Sequence, residues 1–362
     1  MKLAVLGAGL MGRLLALALR RQGHRVTLFD QGGPDAQGSA ARVAAAMLAP
    51  VAESVDAEPL VVGLGEASLS LWQALIASLK HPVFFQQQGT LVLWHGQDRE
   101  EARLFEERLR RDSPINHPKR PLKLLTAAEL AALEPSLAGR FQKGLFLPEE
   151  GQLDNRQLLD ALLHALVDEG VSCQWNQSVT PDAVQADFVF DARGLGSKAE
   201  WPSLRGVRGE VIRVQAPEVR LTRPVRLLHP RYPIYIAPKP ERIFVVGATQ
   251  IETEDRSPMS VRSALELLSA LYTVDPAFGE ARILELLSQC RPALPDHRPV
   301  IRWNGGQLIE VNGLYRHGFL VAPAVRDGAL ALLEAVGDPP LDLHRWREQQ
   351  PFPDLYQLNQ AA

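Results

Sequence analysis

Three glycines near the start of the chain have the spacing of a turn that binds phosphate groups. Gly7, Gly9 and Gly12 lie in MKLAVLGAGLMGRLLALALRRQGHRVTLFD, between two short apolar segments. In such a turn Gly7 permits a sharp bend, Gly9 lets the backbone approach a pyrophosphate, and Gly12 lets a helix pack closely against a strand. The pattern predicts a bound dinucleotide, and a glycine turn without a ligand is the alternative that shares this spacing.

The residues around these glycines form the strand–turn–helix–strand unit that the pattern requires. The apolar run 2–6 predicts a buried parallel strand, and apolar residues at helical spacing predict a helix over 10–21. A second strand is predicted over 24–29, and Asp30 ends it at the distance expected for an acid that binds a ribose hydroxyl. These residues do not distinguish a nicotinamide dinucleotide from a flavin dinucleotide.

Length and composition predict a two-domain globular enzyme. The chain has 362 residues, of which 46% are hydrophobic and 22% charged. A net charge of −3 argues against a nucleic-acid partner. Two distant cysteines, Cys173 and Cys290, predict free thiols in a reducing cytoplasm and no metal cluster. We expect no signal peptide and no membrane span.

The pattern of elements changes along the chain. Four further helices are predicted, over 60–79, 97–111, 155–170 and 319–336, of which 97–111 is charged and faces solvent. Thr126 and Glu129 have the spacing of a capping box at the start of another helix. Residues 209–249 contain three strand candidates and predict an antiparallel sheet, hence a second domain inserted into the first. A short buried strand at 308–311 then precedes a glycine-bounded turn, which a nicotinamide-dependent dehydrogenase would not need.

Seven short segments carry a resemblance to a known enzyme family. They are GAGLMG near residue 7, FD at 29–30, AAAMLAP at 44–50, DARGLGS at 191–197, YIAP at 235–238, CRPALPDHRPVI at 290–301 and YRHGFLVAPA at 315–324. In this order and spacing they resemble the FAD-dependent D-amino-acid oxidase superfamily, and the likeness is closest to the glycine oxidases. The resemblance runs nearly from end to end.

The resemblance implies an α/β fold (α+β overall), with a Rossmann-like FAD-binding domain and an interleaved antiparallel-sheet substrate domain. We expect the FAD-binding parts at 1–85, 141–205 and 289–362, and the substrate parts at 86–140 and 206–288. FAD would be bound noncovalently, because neither cysteine has a position that supports covalent attachment.

The resemblance also implies which residues contact FAD. The first turn would hold the pyrophosphate, the end of the second strand the ribose, the AAAMLAP segment the flavin side, and the late loop the isoalloxazine ring. The residues are Gly7, Gly9, Leu10, Met11, Gly12, Asp30, Gln31, Ala45, Ala46, Met47, Val179, Gly194, Leu314, Tyr315, His317, Gly318, Phe319 and Leu320. Close packing of a helix start is the alternative explanation for the small residues of AAAMLAP.

Three further residues match substrate-binding positions of the family. Arg291 would bind the carboxylate of an amino acid, Tyr235 would assist it through its hydroxyl, and Arg316 would lie near flavin and substrate. A planar guanidinium suits a carboxylate because it offers two parallel hydrogen bonds. A surface ion pair for Arg291, a strand aromatic for Tyr235 and an acidic partner for Arg316 are the alternatives.

The reaction implied is hydride transfer from the Cα of a small amino acid or amine to flavin N5. The imine would hydrolyse to an oxo acid and ammonia, and O2 would reoxidise the flavin and form hydrogen peroxide. A dehydrogenase that uses another electron acceptor, and a flavoprotein that acts on a protein partner, remain alternatives, and the chain could be a homo-oligomer. The chain departs from the family pattern at four places: Ala46 replaces a usual glycine, Arg193 adds a charge near the expected pyrophosphate, the segment 180–187 is short, and VRDG at 325–328 replaces a more usual small-residue helix start.

Overall fold

The computed structural model describes residues 1–112, 121–337 and 342–359. In these ranges the strands are β1 (Lys2–Leu6), β2 (Arg25–Phe29), β3 (Met47–Leu48), β4 (Phe85–Gln86), β5 (Thr90–Trp94), β6 (Lys123–Thr126), β7 (Lys143–Leu147), β8 (Gly151–Leu153), β9 (Ser172–Gln174), β10 (Phe188–Asp191), β11 (Arg205–Gln215), β12 (Val225–Leu228), β13 (Ile234–Lys239), β14 (Ile243–Gly247), β15 (Arg282–Ala293), β16 (Val300–Trp303), β17 (Leu308–Asn312) and β18 (Tyr356–Leu358). The α-helices are α1 (Leu10–Arg21), α2 (Ala40–Val43), α3 (Pro50–Glu53), α4 (Pro59–Ala77), α5 (Arg99–Asp112), α6 (Ala127–Leu133), α7 (Asn155–Asp168), α8 (Val261–Val274), α9 (Gly318–Gly337) and α10 (Leu343–Glu348).

The first sheet has seven strands in the order β18-β16-β17-β10-β1-β2-β9. Strand β1 lies inside the sheet and pairs in parallel with both β2 and β10. Its apolar side chains share one buried core with those of α1, α4, α7 and α9. This arrangement confirms the predicted strand–turn–helix–strand unit and the α/β class. It brings the carboxyl ends of β1, β2 and β10 to one edge, where parallel sheets bind ligands.

The second sheet has eight strands in the order β15-β11-β14-β13-β12-β5-β7-β6. The antiparallel pairs β11–β14 and β13–β14 confirm the sheet predicted over 209–249. Its strands come from 90–147 and 205–293, so segments of the two sheets alternate along the chain. Strand β7 belongs to this sheet, although the sequence division assigns 141–205 to FAD binding. The division into domains stays a prediction.

The predicted helices are present, and their ends show local sequence signals. Thr126 and Glu129 form the complete capping box at the start of α6. By length and composition α4 could cross a membrane, with a mean hydropathy of 1.5, contrary to the expectation of no such segment. It packs against α9, and Trp72 Nε1 donates a 2.7 Å hydrogen bond to the carbonyl oxygen of Phe319. The apolar surface of α4 thus positions the late loop that precedes α9.

Candidate active site

The glycine-rich turn has the geometry that its spacing predicts. Gly7 has a φ of 92°, and a Cβ atom there would lie 2.7 Å from the carbonyl oxygen of Ala192. A Cβ atom at Gly12 would overlap the carbonyl oxygen of Gly7, so only glycine lets α1 lie this close to β1. No side chain caps α1 at Gly9, and the first N–H groups of the helix can therefore bind phosphate oxygens.

Two charged side chains hold the loop after β2 against this turn. Asp30 accepts hydrogen bonds from the N–H groups of Ala8 (2.5 Å) and Gly32 (2.7 Å), and each carboxylate oxygen keeps a lone pair for a ribose hydroxyl. The buried Arg13 donates to the carbonyl oxygens of Ala8 (2.8 Å) and Pro34 (2.5 Å). Sequence analysis missed Arg13, because its position on a helix does not indicate which loop its side chain contacts.

One cavity of about 1110 Å³ extends from the glycine turn to the late loop and the face of the second sheet. This volume suits a dinucleotide together with a small substrate, since pockets for drug-sized ligands measure about 300–1,000 Å³. The cavity brings together most of the predicted site residues, namely Gly7, Gly9, Leu10, Met11, Asp30, Gln31, Ala45, Ala46, Met47, Gly194, Tyr235, Arg291, Leu314, Tyr315, Arg316, His317, Gly318, Phe319 and Leu320. Gly12 and Val179 do not line it: Gly12 acts through packing, and the carbonyl oxygen of Val179 accepts a hydrogen bond from Arg193 (3.3 Å).

The AAAMLAP segment passes the cavity in a conformation that explains its small residues. Ala46 has a φ of 54°, in the left-handed region that glycine adopts without strain. Its carbonyl oxygen accepts a hydrogen bond from the Leu153 N–H group (3.1 Å), and the carbonyl oxygen of Ala45 accepts one from Lys239 Nζ (2.8 Å). The glycine that the family usually has here thus meets a backbone requirement, and Ala46 keeps the conformation because its neighbours fix it.

Arg291 reaches the cavity from β15 as a cation without an acidic partner. Its Nη1 donates to the carbonyl oxygen of Thr249 (3.2 Å), and it makes no ion pair with any described residue. Tyr235 extends from β13 into the same cavity, and burial raises the pKa of its hydroxyl, which therefore stays protonated at neutral pH. The surface ion pair considered for Arg291 is not present in the described part of the chain.

Arg316, by contrast, has an acidic partner. Its Nη2 lies 3.1 Å from Glu53 Oε2, and Arg226 Nη1 lies 3.0 Å from Glu53 Oε1. Burial opposes ionisation of Glu53, but the two guanidinium charges outweigh it and lower the pKa of Glu53 to about 2. The structure therefore shows the acidic partner that was considered for Arg316, and this partner is Glu53. Sequence analysis missed Glu53 and Arg226, which lie far from Arg316 along the chain.

His317 is the neutral member of this cluster. Burial lowers its pKa to about 4, although the charge of Glu53 acts in the opposite direction. Arg316 Nε donates to His317 Nε2 (3.4 Å), so the proton of the neutral ring belongs on Nδ1, which lies 3.5 Å from Glu53 Oε2. The ring adds no charge to the cavity at neutral pH.

Arg193 does not present a free charge to the pyrophosphate region. Its Nη2 lies 2.7 Å from Oδ2 of the buried Asp191 and 3.2 Å from Glu200 Oε1. Asp191 also accepts hydrogen bonds from the Arg193 N–H group (3.1 Å) and the Ser197 hydroxyl (2.9 Å). This departure from the family pattern is thus a local ion pair that fixes the turn after β10.

Comparison with known proteins decides between the two dinucleotides. Residues 2–325 match the family described as FAD dependent oxidoreductase. The chain belongs to this family. It is 42% identical over 340 residues to a putative thiamine biosynthesis oxidoreductase, ThiO, of Rhizobium etli, which covers 94% of this chain and 98% of the relative. The enzyme is an FAD-dependent oxidoreductase of the glycine oxidase type, and the suspected resemblance is confirmed.

Solved structures share its fold. Glycine oxidase from Geobacillus kaustophilus superimposes with a TM-score of 0.79 at 24% identity, covering 95% of this chain and 97% of that one. Iminodiacetate oxidase from Chelativorans superimposes with a TM-score of 0.78 at 21% identity over the full length of both chains. Identities this low establish the fold and leave the substrate open.

The residues described above fit FAD. The uncapped start of α1 suits the pyrophosphate, Asp30 suits the ribose, and the cavity is long enough to continue past the small residues at 44–47 to the late loop. Among the described residues no cluster of His, Cys, Asp or Glu could hold a metal ion, and Cys173 and Cys290 are free thiols.

The glycine turn makes a first testable prediction. In Gly9→Val the added Cβ would lie 3.1 Å from Ser39 Oγ, and its methyl groups would enter the phosphate path. We expect the purified variant to lack FAD, measured as flavin absorbance per protein, while its circular dichroism stays native. Gly96→Val is the control, since a Cβ at Gly96 has no neighbour within 4 Å. Full flavin content in Gly9→Val would contradict the placement of the pyrophosphate.

The buried carboxyl group of Glu150 binds the backbone of α3 next to Glu53. Glu150 is fully buried, and its Oε1 accepts a 2.6 Å hydrogen bond from the N–H group of Ala52 in α3. Burial raises the pKa of Glu150 to about 7, even though that hydrogen bond favours the ionised form. The folded protein therefore keeps a proton on Glu150 that the unfolded chain loses near pH 4.5.

This proton makes stability depend on pH. Between pH 4.5 and 7 the raised pKa of Glu150 lowers the free energy of unfolding as pH rises. Glu150→Gln keeps an oxygen for the Ala52 N–H group and removes the titration. As pH rises from 4.5 to 7, we expect the free energy of unfolding of Glu150→Gln to increase by about 1–3 kcal/mol relative to that of the wild type. Above pH 7 the difference should stay constant, and urea unfolding measures both values. The exposed Glu149→Gln is the control, and equal pH profiles for Glu150→Gln and the wild type would refute the assignment.

Proposed function

We propose that this enzyme oxidises the C–N bond of a small amino acid or amine, with Arg291 holding the substrate carboxylate. The observation that carries the proposal is a guanidinium that faces the FAD cavity without an ion-pair partner among the described residues. Arg291 is half-buried, and the partial loss of its hydration without an acidic partner favours the binding of an anionic substrate group. The similarity to a thiamine biosynthesis oxidoreductase supports a role in that pathway.

The side chains of the cavity divide the work of binding. Arg291 would bind the carboxylate through two parallel hydrogen bonds, and the protonated Tyr235 hydroxyl would donate a third. Arg316 would order the late loop through Glu53 and leave the net charge near the reacting carbon small. When bound, FAD supplies a two-electron acceptor for the hydride that leaves Cα. No side-chain base is assigned, because an amine that binds in its neutral form needs none.

Anaerobic flavin reduction tests the reaction class. We expect flavin bleaching by at least one compound among glycine, sarcosine, D-amino acids, L-proline and larger amines. Peroxide formed per turnover in air then separates an oxidase from a dehydrogenase that uses another acceptor. Failure of every free amino acid and amine to reduce the flavin would contradict the proposal and favour a protein-bound substrate.

The carboxylate role of Arg291 has its own test. Arg291→Ala should raise KM for the amino acid by about 10- to 100-fold, since hydrogen bonds to charged groups contribute about 1.5–3 kcal/mol. FAD content should stay unchanged, because Arg291 reaches the cavity from the second sheet. Arg282→Ala, an exposed arginine at the other end of β15, is the matched control. An unchanged KM in Arg291→Ala would remove this residue from the substrate site.

A further inference from the structure

The register of the second sheet places several cavity residues in one row. Arg226 on β12 pairs with Tyr235 on β13, Tyr235 pairs with Gly247 on β14, and Gly247 pairs with Val211 on β11. Directly paired residues project from the same face of a sheet. This row of residues therefore faces the cavity, and the residue next to Tyr235 in the row is Gly247.

A second glycine lies beside the arginine. Val207 on β11 pairs with Arg291 on β15, so Gly209 is diagonally opposite Arg291 on the same face. A Cβ atom at Gly209 would overlap the guanidinium of Arg291. At Gly247 a Cβ atom would lie 2.9 Å from the Tyr235 hydroxyl oxygen and 2.7 Å from Val211 Cγ1. The Arg291 guanidinium thus lies over β11 at Gly209, and the Tyr235 hydroxyl lies over β14 at Gly247, where neither strand has a side chain.

A left-handed backbone does not explain these glycines. Neither Gly209 nor Gly247 has a positive φ, the conformation that favours glycine, although the peptide bond after Gly247 is cis. The guanidinium of Arg291 makes one hydrogen bond, to Thr249, within the described chain. With so few partners, the space over Gly209 is what fixes its height above the sheet.

We propose that Gly209 and Gly247 are positioning residues that set the depth of the carboxylate subsite. Gly209 lets the Arg291 guanidinium lie flat on β11, and Gly247 lets the Tyr235 hydroxyl lie flat on β14. A side chain at Gly209 lifts the guanidinium into the space that the carboxylate needs. This inference rests on the proposed function, in which Arg291 binds a carboxylate.

Gly209→Ala tests the proposal in the FAD-loaded enzyme. We expect KM for the amino acid to rise about 10-fold, the loss of roughly one hydrogen bond to a charged group, with kcat changed less and FAD content unchanged. The Kd for acetate, a carboxylate without an amine, should rise by a similar factor, measured by perturbation of the flavin absorbance spectrum. Gly96→Ala, where the added Cβ has no neighbour within 4 Å, should leave both values unchanged.

A double-mutant cycle separates positioning from general damage. If Gly209 acts through Arg291, Gly209→Ala should change the acetate Kd by less than about twofold in the Arg291→Ala background. An equal effect in both backgrounds, or no effect on the wild type, would overturn the proposal. If Gly209→Ala does not fold, Gly247→Ala tests it in the same way against the Tyr235→Ala background.

The outcomes also distinguish this inference from the proposed function. Unchanged acetate binding in Arg291→Ala would refute the carboxylate role of Arg291 itself. Weaker binding in Arg291→Ala with unchanged binding in Gly209→Ala and Gly247→Ala would refute only the role of the glycines.

Discussion

Helix α1 meets strand β1 so closely that no carbon atom fits between Gly12 and the carbonyl oxygen of Gly7. The start of the helix consequently lies at the carboxyl edge of the first sheet, with its N–H groups facing the cavity. Arg13 and Asp30 then hold the neighbouring loop against the turn through backbone groups. The phosphate end of the cofactor site thus depends on the absence of one side chain.

The same physical rule recurs at the other end of the cavity. Ala46 keeps a left-handed conformation in the segment that lines the cavity, and Gly209 and Gly247 leave space for Arg291 and Tyr235. Small residues at 44–46 line the cavity, and glycines lie where the long polar side chains of Arg291 and Tyr235 cross a neighbouring strand. Glu53 is compensated by Arg316 and Arg226, whereas Arg291 has no ion-pair partner among the described residues.

Much of the fold follows from local patterns in the sequence. The glycine spacing with its flanking apolar runs predicted the first strand, helix and strand, and Thr126 with Glu129 predicted a capped helix. Helices α4 and α9 were both predicted, but their packing against each other was not, because hydropathy does not identify the surface that covers an apolar face. Strand β7 likewise joins the second sheet through pairing with β5, a contact between residues distant along the chain.

The sequence by itself determined the dinucleotide turn, the antiparallel sheet, and the family, whose motifs carry Arg291, Arg316 and Tyr235. These features depend on residue type and short-range spacing, which can be read directly from the sequence. Tertiary structure alone decided that Arg316 pairs with Glu53 while Arg291 keeps its charge free. It also decided that Gly209 lies under the guanidinium, because strand register brings together residues that the chain separates. Charge compensation and steric space depend on which residues are neighbours in the folded structure. Local sequence patterns do not specify those neighbours.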